Sequence, residues 1–342
     1  MIPERYTALL TGAGGLTGWH ATKHFLDTGC NVIATDVKRP SDPIYERTRF
    51  FEIDLTNEAA VNSWEFKKAL MDCDAVYHIA GLFNYAAPLS QLFKVNVGGT
   101  RNLLRAIAMH TYRRCRIIIW GAAGIYGDFK HIGNRPATEE DLPKTDNPYL
   151  LSKLHEEQLA LDFRREYNLN VTVIRPSAIY GPRSVYGMAL SILLIGQGKL
   201  PPFILGNGKN RGGLVHVEDI VGAAEYLAFH PDAAGEVFNV TDDSLYTVGE
   251  ITGCMANALG IPFLRFVHLP KRVVLFIAER AARNAKKFGL HPPVDRELRI
   301  LITANSWISN AKLKKFGYKL KYPNTRIGLS ETVEWYRKEG LI

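Results

Sequence analysis

The stretch from Ala8 to Gly18 constrains the fold more than any other part of the chain. A short apolar run, Ala8–Leu10, passes into a turn with Gly12, Gly15 and Gly18, and an amphipathic helical pattern follows. Glycines at this spacing allow a tight turn, close backbone approach to a pyrophosphate, and close packing of the helix on its strand. The N–H groups at the helix start then face the phosphates. The stretch therefore predicts a dinucleotide-binding site.

Apolar runs alternate with helical patterns along the first 180 residues. Such alternation is typical of repeated βαβ units with a parallel sheet. We predict an α/β protein: a Rossmann-type doubly wound parallel sheet with a smaller C-terminal substrate lobe. A chain of 342 residues exceeds one comfortable core, so two parts are expected. The NAD-binding domain is predicted to span 1–175, with 212–240 returning to it, and 176–342 to form mainly the substrate lobe.

The second predicted strand, Asn31–Thr35, is followed directly by Asp36. An acidic residue about 20 positions after the glycine turn binds the adenosine ribose hydroxyls of NAD. Its charge would repel the 2′-phosphate of NADP, so Asp36 favours NAD as the cofactor. Lys38 and Arg39 follow closely and keep NADP as the alternative.

Two further strands are predicted to end at cofactor-contacting residues. The third strand ends at Asp54, whose carboxylate can accept a hydrogen bond from an adenine amino group. The fourth ends in Ala80 and Gly81, whose small size would let a ribose and nicotinamide come close. His78, inside this apolar strand, is predicted to be structural.

Tyr149 and Lys153 lie four residues apart in a predicted helix after the fifth strand, Arg116–Trp120. At this spacing both side chains project from one helix face. The lysine can lower the tyrosine pKa by favouring the phenolate, which makes Tyr149 a candidate proton donor or acceptor. The predicted cofactor-binding set is Gly12, Gly15, Leu16, Gly18, Asp36, Asp54, Leu55, Ala80, Gly81, Tyr149 and Lys153.

These motifs resemble the extended short-chain dehydrogenase/reductase family, of the NAD-dependent epimerase/dehydratase type. Its pattern Thr-Gly-x-x-Gly-x-x-Gly is matched by Thr11–Gly18, and Tyr-x-x-x-Lys by Tyr149 and Lys153. The resemblance implies that Tyr149 is the general acid or base and that Lys153 holds the nicotinamide ribose and tunes it. Asn96 is similar to the asparagine that supports the proton relay. Hydride passes directly between substrate and nicotinamide, so the protein supplies position and a proton path.

The chain departs from the family at Ala122, where members usually carry Ser or Thr. The hydroxyl that would hold the substrate oxygen is therefore absent. Loss of one such donor commonly costs roughly a hundred- to a thousandfold in rate. Three interpretations follow: another hydroxyl such as that of Ser177, or a water, substitutes; the enzyme is slow; or the protein is an NAD-binding sensor. We favour retained chemistry.

The substrate class is predicted from the second half of the chain. Nucleotide-sugar epimerases and dehydratases of the family place an asparagine where this chain has Ala178, although Arg211 resembles their phosphate-pairing arginine. The C-terminal segments, from Leu269-Pro270 to Trp335-Tyr336, resemble the 3β-hydroxysteroid dehydrogenase branch. We expect oxidation of a lipophilic secondary alcohol or the reverse reduction, with a nucleotide-sugar epimerase or dehydratase as the alternative. Candidate pocket residues are Phe83, Tyr85, Tyr186, Met188 and Leu190–Ile195.

The formal charge of +8 is concentrated in one region. Residues 271–321 carry thirteen Lys and Arg against three acids, and no nucleic-acid recognition motif is present. Segment 271–287 places apolar residues beside cations, which suits peripheral membrane contact, although a lid or core helix is the favoured interpretation. The four cysteines show no paired spacing, so no metal site is expected. We predict a cytoplasmic protein, and the resemblance implies a homodimer.

Overall fold

A computed structural model describes residues 2–85, 87–110, 115–127, 129–133, 135–270 and 305–342, together with 272, 273, 276 and 280. The chain divides into two compact units, each described by itself. The first comprises Met1–Ile125, Thr145–Pro176 and Ile220–Phe238; the second comprises Tyr126–Lys144, Ser177–Asp219 and Asn239–Ile342. The assignment of cofactor binding to the domain 1–175 and of substrate binding to 176–342 stays a prediction.

The strands of the described residues are numbered in chain order. They are β1 (Thr7–Thr11), β2 (Asn31–Asp36), β3 (Arg49–Glu52), β4 (Ala75–His78), β5 (Arg116–Trp120), β6 (Asn170–Pro176), β7 (Ala178–Tyr180), β8 (Phe203–Leu205), β9 (Leu214–His216), β10 (Val237–Val240) and β11 (Leu264–Leu269).

The α-helices of the same residues are numbered likewise. They are α1 (Leu16–Asp27), α2 (Glu58–Val61), α3 (Trp64–Asp72), α4 (Leu89–Leu92), α5 (Thr100–His110), α6 (Pro148–Tyr167), α7 (Met188–Gly196), α8 (Val217–Ala228), α9 (Val248–Leu259), α10 (Ala311–Lys315) and α11 (Thr325–Lys338). A π-helical segment, Phe93–Gly99, joins α4 to α5.

The described strands include a seven-stranded sheet in the order β10-β6-β5-β4-β1-β2-β3. The pairs β1 with β2, β1 with β4, β2 with β3, β4 with β5 and β5 with β6 are parallel. The order reverses between β1 and β4, so the strands wind outward in both directions from this point. This confirms the predicted α/β fold with a Rossmann-type doubly wound parallel sheet. In such sheets, ligands bind beyond the carboxyl ends of the strands at the reversal.

The core of the first unit explains why its strands are nearly continuous apolar runs. Leu9, Val76, Ile117 and Val173, from four neighbouring strands, are buried in one cluster. Helices α3 and α5 pack on this cluster with residues such as Phe66, Leu70, Leu103 and Ile107. A parallel sheet covered by helices buries both faces, which removes the apolar-polar alternation of half-exposed strands.

The second unit has its own buried cluster. Tyr180, Ile192, Ile251 and Val333 contribute to it from β7, α7, α9 and α11. Helix α9 begins with a capping box, in which the Thr247 side chain and the side chain at the third helical position exchange hydrogen bonds with the backbone. Met188 and Leu193, which the sequence suggested as pocket residues, are buried in this cluster, and their place in a substrate pocket stays a prediction.

Two predicted strand ends differ from the structure. Strand β3 ends at Glu52, so Asp54 lies in the following turn and not in the strand. Strand β4 ends at His78, so Ala80 and Gly81 lie in the loop that follows it. Most of segment 271–287, for which membrane contact was considered, lies outside the described residues. None of the helices in the described ranges is long and apolar enough to cross a membrane.

Candidate active site

The glycine turn lies between β1 and α1, at the reversal of the sheet. Gly12 has φ +67°, and a Cβ there would lie 2.7 Å from the backbone N and Cα of Ala80. A Cβ at Gly18 would lie 2.1 Å from the carbonyl O of Gly12, so both positions require glycine. A Cβ at Gly15 would meet only Gly12 O, at 3.5 Å, which leaves open space beside the start of α1. Leu16, the first residue of that helix, is half-buried.

The carboxylate of Asp36 lies at the end of β2 and contacts the turn. Its Oδ2 accepts the N–H of Gly14 at 2.8 Å, and its Oδ1 accepts the N–H of Val37 at 2.7 Å. The guanidinium of Arg39 donates to the carbonyl O of Tyr45 at 2.9 Å. Asp36 therefore puts negative charge beside the turn, while the Arg39 guanidinium is engaged with the 3₁₀ segment Pro43–Arg47.

Asp54 and Leu55 lie in the turn after β3. Asp54 is exposed, and its Oδ1 accepts the N–H of Thr56 at 2.8 Å. The side-chain amide of Asn102, on α5, donates to the carbonyl O of Leu55 at 2.9 Å. The helix thus fixes the backbone of this turn and leaves the Asp54 carboxylate accessible to a ligand.

Tyr149 lies in the first turn of α6. The preceding Asn147 caps the helix, because its side chain accepts the N–H of Leu150 at 3.1 Å. The Tyr149 ring makes edge-to-face contacts with Phe83 and Tyr85, each with centroids 5.2 Å apart, and those two rings contact each other at 5.2 Å. Tyr149 is therefore flanked by two aromatic residues from the loop after β4.

The π-helical segment brings Asn96 to the same place. Its Oδ1 accepts the N–H of Leu82 at 2.6 Å, and its Nδ2 donates to Oγ of Ser152 at 2.8 Å. The Ser152 hydroxyl donates in turn to the carbonyl O of Tyr149 at 2.6 Å. A Cβ at Gly81 would lie 3.4 Å from Asn96 Oδ1 and 3.7 Å from Lys153 Nζ. The structure thus brings Gly81, Asn96, Tyr149 and Lys153 together.

A chain of hydrogen bonds connects Asn96 with the strand that precedes the glycine turn. The Thr100 hydroxyl donates to Asn96 O at 2.5 Å, so its oxygen accepts from Nε2 of His78 at 2.7 Å. The other ring nitrogen, Nδ1, then accepts from the Thr11 hydroxyl at 2.7 Å. Burial and the nearby charge of Lys153 lower the pKa of His78 to about 3. His78 is neutral and connects β1, β4 and α5, which is a structural role.

Two buried carboxylates follow Lys153 on α6. Nζ of Lys153 lies 2.6 Å from Oε2 of Glu156, and both side chains are at most 5% exposed. Glu157 accepts from Nε of Arg175 at 2.9 Å and from its Nη2 at 2.5 Å. Burial raises the pKa of Glu156 to about 7, against the lowering effect of Lys153.

The three residues predicted to contact the substrate form hydrogen bonds within the protein. Ala122 follows β5 and is half-buried; its carbonyl O accepts the N–H of Ile125 at 3.3 Å. The Ser177 hydroxyl donates to Oγ1 of Thr241 at 3.2 Å. The guanidinium of Arg211 donates to the carbonyl O of Leu245 and lies over the Trp307 ring. Ser177 and Arg211 belong to the second unit, and both are engaged within it.

Sequence reasoning missed Ser152 and Glu156. Ser152 carried no signal beyond its place between Tyr149 and Lys153. Glu156 lies three residues after Lys153, and this spacing puts both on one helix face, so the pair could have been found. The burial of Glu156 could not have been predicted, because it requires the packing of α6 against the sheet. Within the described ranges, no group of three or more His, Cys, Asp or Glu is arranged to hold a metal ion.

Comparisons with known proteins identify the family and the fold. A model of the "NAD dependent epimerase/dehydratase family" matches residues 8–241. The "sterol-4-alpha-carboxylate 3-dehydrogenase, decarboxylating" of Bos taurus is 28% identical over 250 residues, which cover 71% of this chain and 67% of that protein. The chain spans only 61% of the Homo sapiens protein of that name. A UDP-glucose 4-epimerase of Vibrio cholerae is 26% identical over 260 residues, 74% of this chain and 76% of that protein.

A solved structure extends the fold similarity to nearly the whole chain. The crystal structure of UDP-glucose 4-epimerase from Thermotoga maritima, determined with UDP-glucose, superposes with a TM-score of 0.76. The superposition covers 97% of this chain and 99% of that one, at 24% sequence identity. At this identity the likeness concerns the fold.

Proposed function

The chain belongs to the NAD dependent epimerase/dehydratase family, and we propose that it is an NAD-dependent oxidoreductase that interconverts a lipophilic secondary alcohol and its ketone. One observation carries the proposal: Tyr149 stands four residues before Lys153 on α6, with its ring against Phe83 and Tyr85. The tyrosine and lysine supply the proton chemistry, and the two neighbouring rings favour an apolar substrate.

The residues of the first unit fit a dinucleotide. The open space at Gly15 accommodates a pyrophosphate, and the free N–H groups at the start of α1 would bind it. The Asp36 carboxylate would accept the ribose hydroxyls and repel a 2′-phosphate, which favours NAD over NADP. Asp54 would hold the adenine amino group. Gly81, with Ala80 beside it, leaves room for the nicotinamide ribose near Lys153.

The proton path begins at the hydroxyl of Tyr149. In the oxidation direction the phenolate accepts the proton of the substrate hydroxyl, while NAD supplies the hydride acceptor. Lys153 would stabilise the phenolate by its charge and would donate to the nicotinamide ribose of a bound cofactor. Asn96 and Ser152 fix the first turn of α6 through their hydrogen bonds, so that Tyr149 keeps its place. In the reduction direction the same hydroxyl returns the proton.

The apolar surroundings of Tyr149 support a lipophilic substrate. Phe83 is 41% exposed although it contacts the Tyr149 ring, so part of its apolar surface is accessible to a ligand. Burying such a face against a flat hydrocarbon removes apolar area from water and gains about 25 cal/mol per Å². The similarity to a sterol dehydrogenase supports the same substrate class.

A nucleotide-sugar epimerase or dehydratase is the second candidate. The similarity to the Vibrio cholerae epimerase favours it. Two residues argue against it: Ala178 offers no side-chain hydrogen bond, and the Arg211 guanidinium already donates to a carbonyl and lies over an aromatic ring. An arginine committed in this way must first be released to bind a phosphate.

Substrate panels separate the two candidates. The protein is incubated with NAD and either sterols and long-chain hydroxy compounds or UDP- and dTDP-sugars, while NADH absorbance is followed. Because epimerases reoxidise their cofactor within one turnover, the sugar products are also analysed by chromatography. NADH formation with the lipophilic alcohols supports the proposal. Turnover of sugar nucleotides alone contradicts it.

A further inference from the structure

We propose that Glu156 is a positioning residue that holds Lys153 and, through it, sets the ionisation of Tyr149. The inference rests on the proposed function, since it assigns Tyr149 and Lys153 to the proton step. Glu156 acts through its direct contact with the Lys153 ammonium group.

The contact between Glu156 and Lys153 is close and buried. Oε2 of Glu156 lies 2.6 Å from Nζ of Lys153, and the glutamate side chain is fully buried. The two residues lie one turn apart on α6, so helix geometry keeps the pair together. A lysine side chain otherwise samples many rotamers. The carboxylate therefore restricts the ammonium group to one position beside Gly81. A Cβ built at Gly81 would lie 3.7 Å from Nζ of Lys153.

Lys153 is the cation that pairs with Glu156, because the other charged groups near it are engaged elsewhere. Glu157, the next residue on the helix, is paired with Arg175 of β6 through two hydrogen bonds. From β4, Nε2 of His78 lies 3.8 Å from Oε1 of Glu156, but its proton goes to Thr100. Oε1 is buried and accepts no hydrogen bond among the described residues. An orphan oxygen of this kind opposes ionisation and keeps the carboxyl group responsive to pH.

The two protonation states of Glu156 have opposite effects on Tyr149. When Glu156 is ionised, its charge offsets that of Lys153 and the phenolate gains less from the ammonium. When Glu156 is protonated, the ammonium charge is uncompensated and favours the phenolate. Burial raises the pKa of Glu156 to about 7, so the carboxyl group changes charge near neutral pH. Glu156 thereby limits how strongly Lys153 activates Tyr149.

The substitution Glu156→Gln keeps the shape of the side chain and removes its charge. The readout is the Tyr149 ionisation in the substrate-free protein, followed by NMR of ¹³Cζ-labelled tyrosine. The chain has 15 tyrosines, and the Tyr149→Phe spectrum identifies the signal. We expect the Tyr149 pKa to fall by about one unit in Glu156→Gln, as the loss of one charge two helical turns (about 10 Å) away implies at an effective dielectric constant of about 20. An unchanged Tyr149 pKa overturns the inference.

A double substitution tests whether Glu156 acts through Lys153. In the Lys153→Met background, the buried Glu156 has lost its cation and is expected to stay protonated and uncharged, so Glu156→Gln should leave the Tyr149 pKa unchanged. A shift of equal size in that background means that Glu156 acts directly, and it contradicts the positioning role. Because this readout needs no substrate, it stands apart from the substrate panels. The proposed function can fail there while the pKa shift is still observed.

Glu225→Gln is the matched control. Glu225 is also a buried carboxylate; it accepts from the Tyr6 hydroxyl at 3.0 Å and contacts Nε2 of His24 at 2.7 Å. It lies on α8 and has no contact with Lys153, so its substitution should leave the Tyr149 pKa in place. If Glu156→Gln does not fold, Glu156→Ala replaces it, with the same expected direction. If the Tyr149 pKa shifts equally in Glu225→Gln and in Glu156→Gln, a specific role for Glu156 is contradicted.

Discussion

The backbone N–H of Gly14 donates to Oδ2 of Asp36 at 2.8 Å, which joins the glycine turn to the end of β2. The second carboxylate oxygen accepts the N–H of Val37. One side chain therefore fixes the turn and also presents negative charge where the adenosine ribose of a dinucleotide would lie. Its two roles make Asp36 the residue through which cofactor choice can be changed.

Asp36→Ala is expected to weaken NAD binding roughly 10- to 100-fold, because charge-assisted hydrogen bonds contribute about 1.5–3 kcal/mol each. Loss of the negative charge should weaken the preference for NAD over NADP at the same time. Titration calorimetry with both cofactors measures the two dissociation constants. Glu52→Gln is the control, since Glu52 accepts the N–H of Arg39 at 2.9 Å but lies at the end of the next strand. An unchanged NAD-to-NADP ratio in Asp36→Ala contradicts this assignment.

The fold was predictable because its signals are local. The apolar run into Gly12 and the alternation of strands and helices each depend on neighbouring residues, and both appear in β1, α1 and the parallel order. The π-helical turn Phe93–Gly99 was not predictable, since the sequence favours an ordinary helix there. Its geometry depends on Asn96 bonding to Leu82 and Ser152, which are distant in sequence.

The sequence motifs of the site were predictable, but the hydrogen bonds between its residues were not. Tyr149 and Lys153 follow from their spacing, yet nothing in the sequence links His78 to Thr11 and Thr100. Those bonds arise because the parallel pairing places Thr11 beside His78. Likewise, the burial of Glu156 requires the packing of α6 against the sheet. Long-range pairing, which a single sequence does not encode visibly, therefore sets the electrostatics of the site.

The buried ion pair of Glu157 and Arg175 should be sensitive to loss of one partner. Arg175→Met leaves the carboxylate buried without its cation and is expected to reduce the free energy of unfolding by about 3–5 kcal/mol. The double variant Arg175→Met with Glu157→Leu removes both charges, so its free energy of unfolding should fall by less than that of Arg175→Met. Urea unfolding followed by circular dichroism measures each value. A double variant less stable than Arg175→Met contradicts the pairing as the cause.

Asp242 makes the stability of the second unit depend on pH. It is 2% exposed and accepts hydrogen bonds from Ser244 and Thr325, and burial raises its pKa to about 7. A carboxyl group whose folded pKa is raised contributes stability below its unfolded pKa of about 4, and this is lost as pH rises through 7.

The stability of the wild type relative to Asp242→Asn is therefore expected to fall by roughly 2–4 kcal/mol between pH 4 and pH 8. Urea unfolding at a series of pH values measures the difference. The control is Asp243→Asn, which removes an exposed carboxylate at the next position. A difference for Asp242→Asn that does not change with pH, or that changes no more than the difference for Asp243→Asn, contradicts the role of burial.

Ala122→Ser tests whether another hydrogen-bond donor replaces the hydroxyl that the family usually has at this position. If another donor already holds the substrate oxygen, the added hydroxyl should change kcat by less than about tenfold, because its place is taken. Steady-state kinetics on the substrate found by the panels measures the change, with Ala123→Ser, one position away, as the control. A gain of roughly a hundredfold or more, as one oxyanion donor is worth, contradicts retained chemistry and favours an NAD-binding sensor.

The central claim is that Tyr149 moves the proton while the first unit holds NAD, and Tyr149→Phe tests it most directly. Removal of the one hydroxyl is expected to lower kcat roughly 100- to 10,000-fold while the dissociation constant for NAD stays within about twofold. Tyr85→Phe removes a hydroxyl from a ring in contact with Tyr149 and should leave kcat nearly unchanged. Comparable turnover by Tyr149→Phe and the wild type would contradict the account.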